Sequence, residues 1–162
     1  MKGFAKGILA IIVLSILIEP IFEVVNVIRE KITINSALFN ACRVARDMSL
    51  NYESHRDRDA VIDERMFQEQ FSKAFSDAMG VTEIPTVGPN LKFSSNHVWN
   101  EFSVDIEIET RSDYTGQTYT IVNARAETLY KYKTKYLKIA ADAINLDLKL
   151  VGERKLLVSI KN

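Results

Sequence analysis

Residues Phe4 to Ile28 read FAKGILAIIVLSILIEPIFEVVNVI, and no other segment of the chain is apolar enough to leave water. Only Ser15 interrupts the apolar run from Ile8 to Ile18. That run alone is too short for a bilayer, since a spanning helix needs roughly 20 residues. The whole stretch has about 25 residues, which at ~1.5 Å per residue gives a helix of roughly 37 Å. We therefore predict a membrane-anchoring helix at this end of the chain.

Two carboxylates and a proline lie in the second half of this stretch. Glu19 and Glu23 are four residues apart and share one helix face, while Pro20 removes a backbone donor and can kink the helix. A carboxylate at membrane depth is costly, so such residues are usually partnered or functional. Two interpretations stay open. Either the bilayer ends near Glu19 and both acids lie at the interface, or the acids bind an N-terminal amine or a lysine of a neighbouring helix.

A cleaved secretory signal is the alternative explanation for this segment, because Lys2 and Lys6 precede an apolar core. No small-x-small cleavage site leads into a polar start, and the amphipathic pattern continues past Ile28, which favours a retained anchor. Positive charges flank both ends, with Arg29 and Lys31 on the far side, so they determine orientation only weakly. We expect a single-pass protein of the cytoplasmic membrane with its head outside the cytoplasm.

The composition of the 162-residue chain is that of a globular protein behind one anchor. We divide it into an anchoring and assembly helix, residues 1–52, and a head domain, residues 53–162. Lysine plus arginine and aspartate plus glutamate both number 21, so no basic excess indicates a nucleic-acid partner. Cys42 is the only cysteine, so it is either a small buried hydrophobe or the site of a link between protomers.

An apolar stripe continues the first helix beyond the anchor. Its members recur in steps of four and three, and they are Ile34, Leu38, Ala41, Ala45, Met48 and Tyr52. Small side chains within the stripe permit close approach of another helix. We predict one continuous helix from about Phe4 to Leu50. We assign its packing and assembly to six residues: Glu19, Pro20, Glu23, Leu38, Ala41 and Ala45.

The first part of the head is predicted to be helical. After a charged loop from Glu53 to Asp59, a helix runs from Val61 to Met79, with Asp59 as its N-cap and Gly80 after its C-terminus. Three phenylalanines share one face of this helix, and they are Phe67, Phe71 and Phe75. They are interpreted as core contacts, with a docking face for a partner as the alternative.

The rest of the head alternates polar and apolar residues with the period of a strand. After a loop from Val81 to Asn90, the predicted strands are Phe102 to Ile108, Gln117 to Ala126, Tyr130 to Tyr136, Ile144 to Leu150 and Leu156 to Ile160. Lys138 to Ala143 fits helix or strand, and Gly152-Glu153 suits a type II′ turn. We predict an α+β fold: a long N-terminal transmembrane and amphipathic helix, then a small head with a second helix and an antiparallel sheet of about four strands.

Two charge stripes mark the predicted strands. The acidic stripe is Asp105, Glu107 and Glu109, and the basic stripe is Lys131, Lys133 and Lys135. Both can be solvated faces or a cross-strand match. Alternatively, they are head contacts in which opposite charges of two protomers meet.

No residue pattern indicates catalysis. His55 and His97 are isolated from any paired acid, and two histidines with one cysteine give no metal-ligand spacing. No glycine-rich phosphate loop and no nucleophile elbow occurs. We expect no enzyme activity, no cofactor, no metal and no small-molecule substrate.

The N-terminal third resembles the TadE-like pseudopilins, accessory pilin-like proteins of tight-adherence (Flp) pilus systems within the type IV pilus family. The matching residues are Glu19, Pro20 and Glu23 in the apolar part, and Leu38, Asn40, Ala41, Arg43, Ala45 and Arg46 in the pattern L-x-N-A-x-R-x-A-R. The resemblance implies a structural subunit of an envelope-spanning pilus or secretion apparatus. Its partners would be membrane lipid and other pilin-like subunits, and a leader would be cleaved after Gly3 or Gly7.

Two other functions remain open. The chain can be a bitopic membrane protein whose head binds a partner in a conjugation or secretion complex without forming a filament. It can also be a membrane-anchored hydrolase, which would need His55 or His97 near a nucleophile in a cleft.

Overall fold

A computed structural model describes residues 2–50, 61–86, 90–114 and 116–159 of the chain. Its elements are α1 (Lys2–Ser49), α2 (Glu64–Met79), β1 (Glu83–Ile84), β2 (Leu91–Phe93), β3 (Phe102–Ser112), β4 (Thr118–Leu129), α3 (Lys135–Ile144) and β5 (Lys149–Val158). The α+β prediction is confirmed, with five strands described instead of about four. The predicted loop at Glu53 to Asp59, its N-cap and the boundary between residues 52 and 53 lie outside the described residues.

Helix α1 runs unbroken through Pro20, as the sequence predicts. Its part from Gly3 to Ser49 is long and apolar enough to cross a membrane. Only 6% of its most apolar window is buried by the rest of the chain, so this end of the helix does not belong to the head's core. The second half, from Ile34 onward, lies in that core. The predicted N-terminal helix and the predicted head therefore both contribute residues to the core of the head.

The sheet has the order β1-β2-β3-β4-β5, and every neighbouring pair is antiparallel. Strands β3 and β4 form the predicted hairpin, and β5 pairs along the other side of β4. The inner face carries alternating apolar residues such as Val104 and Val122, both fully buried. Helix α1 crosses this face and packs on β5, β4 and α2.

Helix α2 closes the core with its phenylalanines, as predicted. Phe67, Phe71 and Phe75 are 0% exposed, which leaves no docking face for a partner on this stripe. Phe75 packs against Phe93 and Phe102 of the sheet, with ring centroids 4.9 and 5.5 Å apart. Aromatic side chains contribute more buried area than any others, so this cluster supplies much of the head's stability.

The predicted start of α2 at Val61 is wrong by three residues. Ile62 forms an isolated antiparallel bridge with Leu50, which keeps the backbone extended there. Asp63 is the N-cap, because its carboxylate accepts a hydrogen bond of 2.9 Å from the Met66 N–H. Gly80 ends the helix in the left-handed conformation, as predicted.

Two predicted strands of the C-terminal third, Tyr130 to Tyr136 and most of Ile144 to Leu150, do not form, and neither does the predicted turn at Gly152-Glu153. The chain leaves the sheet at Leu129 and enters α3 at Lys135, so the stretch from Tyr130 to Tyr136 is not a strand. Gly152 makes no turn either, because it lies inside the single strand β5. The sequence alternates as predicted, but the contacts with α1 described below determine where the chain turns.

The reactivity of the Cys42 thiol reports how closely α1 packs on the sheet. Its side chain is 1% exposed, and burial raises the pKa of its thiol to about 12. Because the thiolate is the reactive form, we expect maleimide to modify the folded protein more than ~100-fold more slowly than the unfolded protein. Mass spectrometry with and without denaturant measures this ratio. Rapid labelling without denaturant, or a Cys42-linked dimer, would contradict the packing.

Candidate functional site

The carboxylate of Glu23 joins the anchor helix to the head. One oxygen accepts hydrogen bonds from the backbone N–H groups of Lys133 and Thr134, at 2.6 and 2.9 Å, and from the Thr134 hydroxyl at 3.2 Å. The other oxygen accepts a bond of 2.5 Å from the Tyr130 hydroxyl. Glu23 is 5% exposed. We call these four residues the Glu23 node.

The node lies at the N-terminus of α3. A helix start has backbone N–H groups with no partner inside the helix, and Thr134, the N-cap of α3, makes no capping bond with its own side chain. Glu23, from a different helix, accepts instead from the two backbone N–H groups that lead into α3, those of Lys133 and Thr134. Its negative charge also faces the positive end of the α3 dipole, which is the favourable arrangement. The node therefore holds the head and the anchor helix in one fixed relation.

Tyr130 and Lys133 reinforce the node. Tyr130 is 4% exposed, and burial together with its hydrogen bond to the Glu23 carboxylate raises the pKa of the phenol, which keeps it protonated as a donor. The Lys133 ammonium lies 3.0 Å from a carboxylate oxygen of Glu30. Glu30 is on the same face of α1 as Glu23, about two helical turns further along. The Lys133 ammonium also donates to the Val98 carbonyl at 3.0 Å.

The basic stripe is thus not a solvated strand face. Lys131 donates to the Asn96 carbonyl at 3.1 Å, and Lys133 bridges the head to α1. Lys135 is exposed in the first turn of α3. The structure therefore separates three lysines that the sequence places on one surface.

The acidic stripe does lie on the outer face of β3, and a positively charged neighbour of the stripe belongs to the same sheet. Asp105 pairs in register with Arg125, which in turn lies beside Glu153 on β5. The Arg125 guanidinium is 2.7 Å from a carboxylate oxygen of Glu127 and 3.5 Å from one of Glu153. Pairs this exposed contribute little stability. An open groove of about 790 Å³ lies over this face, lined by residues of both charge signs.

Of the six residues assigned to helix packing, Glu23 belongs to the node and the other five divide into two groups. Leu38, Ala41 and Ala45 are 0% exposed within the head's own core, so they pack inside this chain. Glu19 and Pro20 line an apolar groove of about 560 Å³ between α1 and α3. Among the described residues, one carboxylate oxygen of Glu19 is buried there with no hydrogen-bond partner.

A second apolar face of α1 points away from the head. Four of its residues are spaced by four, three and four, and are between 55% and 63% exposed: Ile21, Val25, Ile28 and Ile32. This spacing places them on one side of the helix, opposite Glu23 and Glu30, which face the head. We call these four residues the outer stripe. This stripe is not among the sequence-based predictions above, although its spacing of four, three and four is visible in the sequence.

Other predicted site residues lie apart from the node. Gly3 and Gly7 are exposed within α1, with nothing near their Cα atoms. His97 is exposed in the loop before β3, and His55 lies outside the described residues. No group of three or more His, Cys, Asp or Glu side chains within the described ranges could hold a metal ion. Comparison of the chain with protein-family models, curated proteins and solved structures finds no match.

Proposed function

We propose that this chain is a single-pass membrane protein and a pilin-like, TadE-like structural subunit of an envelope-spanning pilus or secretion apparatus. Its N-terminal helix anchors it and assembles it with like helices, and its head lies outside the cytoplasm. The observation that carries the proposal is the outer stripe, an apolar helix face that the head leaves uncovered.

The exposed apolar surface of α1 is longer than the hydrocarbon core of a bilayer. The densest series of exposed large apolar side chains on α1 extends from Phe4 to Ile32, before the more scattered Phe39, Val44 and Met48. At ~1.5 Å per residue this series is roughly 42 Å long. The hydrocarbon core of a bilayer is only ~30 Å thick, and an average tilt of ~20° shortens the helix's span by only a few ångströms. Part of the outer stripe therefore lies beyond the hydrocarbon. A helix that is apolar there needs a protein partner.

The unpartnered carboxylate oxygen of Glu19 supports the same proposal. A buried polar atom without a hydrogen bond is costly, and carboxylates at membrane depth usually have a partner. Glu23 already has its partners inside the chain, which leaves Glu19, on the same face and away from the outer stripe, as the acid that a second neighbouring helix can satisfy. A lysine or an N-terminal amine of the neighbour has the required charge.

Disulfide cross-linking of full-length protein in membranes tests the assembly. We expect Ile32→Cys protomers to form disulfide-linked dimers under a mild oxidant, because the outer stripe faces its counterpart. Lys31→Cys is the matched control, since Lys31 is exposed on the next position of the same helix.

Equal cross-linking at both positions, or none at Ile32→Cys, would contradict assembly through the outer stripe. The fraction sheared from the cell surface then separates the two membrane functions. Protein found there, with a mass shortened by a leader ending at Gly3 or Gly7, supports the pilin-like subunit. Full-length protein that cross-links at neither position and stays in the membrane favours the bitopic alternative, in which the groove over the outer sheet face binds a partner.

A further inference from the structure

We propose that α3 is a second membrane contact, an amphipathic helix that lies in the lipid interface beside α1 with its apolar face in the acyl region. This inference rests on the membrane location proposed above and not on assembly. The face consists of Tyr136, Ile139, Ala140 and Ile144. Tyr136, Ile139 and Ile144 are 72%, 56% and 69% exposed.

The orientation of α3 is the reverse of that expected for a surface helix in water. Such a helix buries its large apolar residues and exposes its polar ones. Here Ala141 is the buried residue, at 5% exposure, Leu137 is half-buried against α1, and Tyr136, Ile139 and Ile144 point outward. Leu146 and Leu148 follow α3 and are 53% and 38% exposed, which extends the surface. A contiguous exposed apolar surface of this kind marks an interaction site.

The position of α3 identifies lipid as its occupant. Tyr136 and Leu137 share a groove with Ile11 and Ile12 of the anchor segment, so the α3 face is continuous with the surface that would contact lipid. The Glu23 node fixes the start of α3 to α1, so α3 begins beside the anchor segment. From Ile12 to Glu23 the helix rises ~16 Å, which places α3 within the outer half of the bilayer or its interface.

The remaining side chains of α3 suit a headgroup region. Tyr136 combines an aromatic ring with a polar tip, and tyrosine is enriched at membrane interfaces. Lys135 and Lys138 are exposed and have long apolar stems with charged ends, which can reach the phosphates from a helix lying at the interface. A basic helix with an apolar face is typical of interfacial helices.

An interfacial α3 places the bilayer boundary along α1. The boundary then lies between Glu19 and Glu23, so the node is at headgroup level and Glu30 is outside. Two contacts, α1 and α3, also fix the tilt of the head relative to the membrane. The outer stripe beyond this boundary faces other protein, in agreement with the assembly proposed above.

Fluorescence quenching in proteoliposomes tests the proposal with full-length protein. Single cysteines at Ile139 and Ile144 are labelled with an environment-sensitive fluorophore, while the buried Cys42 stays unlabelled in the folded protein. Asp142→Cys is the matched control, because Asp142 is exposed on the polar side of the same helix. Leu9→Cys reports insertion of α1. The vesicles contain phosphatidylcholine and phosphatidylglycerol with a shallow spin-labelled lipid as quencher.

We expect quenching at Ile139→Cys and Ile144→Cys to exceed that at Asp142→Cys at least ~2-fold and to persist when the protein is diluted in excess lipid. Equal, weak quenching at all three α3 positions with strong quenching at Leu9→Cys would overturn the α3 proposal and leave the membrane anchor intact. Weak quenching at Leu9→Cys as well would overturn the membrane location itself. Protection at Ile139→Cys that disappears on dilution would show that a second copy, and not lipid, covers the face.

Discussion

Replacing Glu23 with alanine is expected to lower the free energy of unfolding by about 3–5 kcal/mol, a large part of the stability of a small domain. The substitution leaves the backbone N–H groups of Lys133 and Thr134 and the Tyr130 hydroxyl without their acceptor. Each buried donor left unsatisfied costs about 1–3 kcal/mol. Glu23→Gln keeps the shape and one carbonyl acceptor, so we expect a loss of about half as much.

Two measurements follow the effect in detergent or in vesicles. Denaturant unfolding gives the free-energy change, and hydrogen exchange at the Lys133 and Thr134 amides reports release of α3. Glu101→Ala, an exposed acid just before β3, is the control and should change neither. A double-mutant cycle between Glu23→Gln and Tyr130→Phe should give a coupling energy above about 0.5 kcal/mol. Additive effects, or wild-type exchange at both amides in Glu23→Ala, would show that the node does not hold the head.

From the sequence, Glu23 was expected either to lie at the membrane interface or to bind a basic group of a neighbouring helix, and the structure gives it partners within its own chain. The phenol that binds it is 107 residues away in the sequence, and two of its other donors are backbone N–H groups, which have no residue signature. The same contact explains the missing strand after β4. The residues from Tyr130 to Lys135 alternate as a strand does, but the chain must leave the sheet there to reach Glu23.

Elements with strong periodicity were predictable. The continuous α1, the phenylalanine face of α2 and the β3–β4 hairpin each carry apolar residues over several periods, and packing follows that pattern. Short elements were not predictable. Strands β1 and β2 have two and three residues, too few to show alternation; β1 lies inside the predicted loop from Val81 to Asn90, and β2 follows directly after it. The Asp63 cap was missed because an acid at Asp59 also precedes the apolar run.

Gly152 shows why one glycine was misread. Glycine followed by a polar residue between two apolar runs is typical of a tight hairpin. The structure instead needs glycine because α1 approaches β5 at that point. A Cβ atom on Gly152 would lie 2.7 Å from the Ile34 Cγ2 atom, 3.0 Å from the Asn35 Oδ1 atom and 3.0 Å from a Leu38 methyl group. Its φ angle is not in the left-handed region, so the restriction is one of space and not of backbone conformation.

Gly152→Ala is therefore expected to destabilise the protein by about 1–3 kcal/mol, the usual cost of overpacking a core, and Gly152→Val by more. If the space around residue 152 were open, Gly152→Ala would stabilise the strand, because glycine inside regular structure lowers the stability by roughly 0.5–1 kcal/mol relative to alanine. The sign of the effect in denaturant unfolding thus reports the distance between α1 and β5. Trimming the opposing side chain with Ile34→Ala should make Gly152→Ala less harmful than it is alone, because Ile34 holds the nearest atom. If Gly152→Ala proves neutral or stabilising with Ile34 intact, α1 does not pack on β5 as closely as described. The Glu23 node would then not hold α1 in register with the sheet.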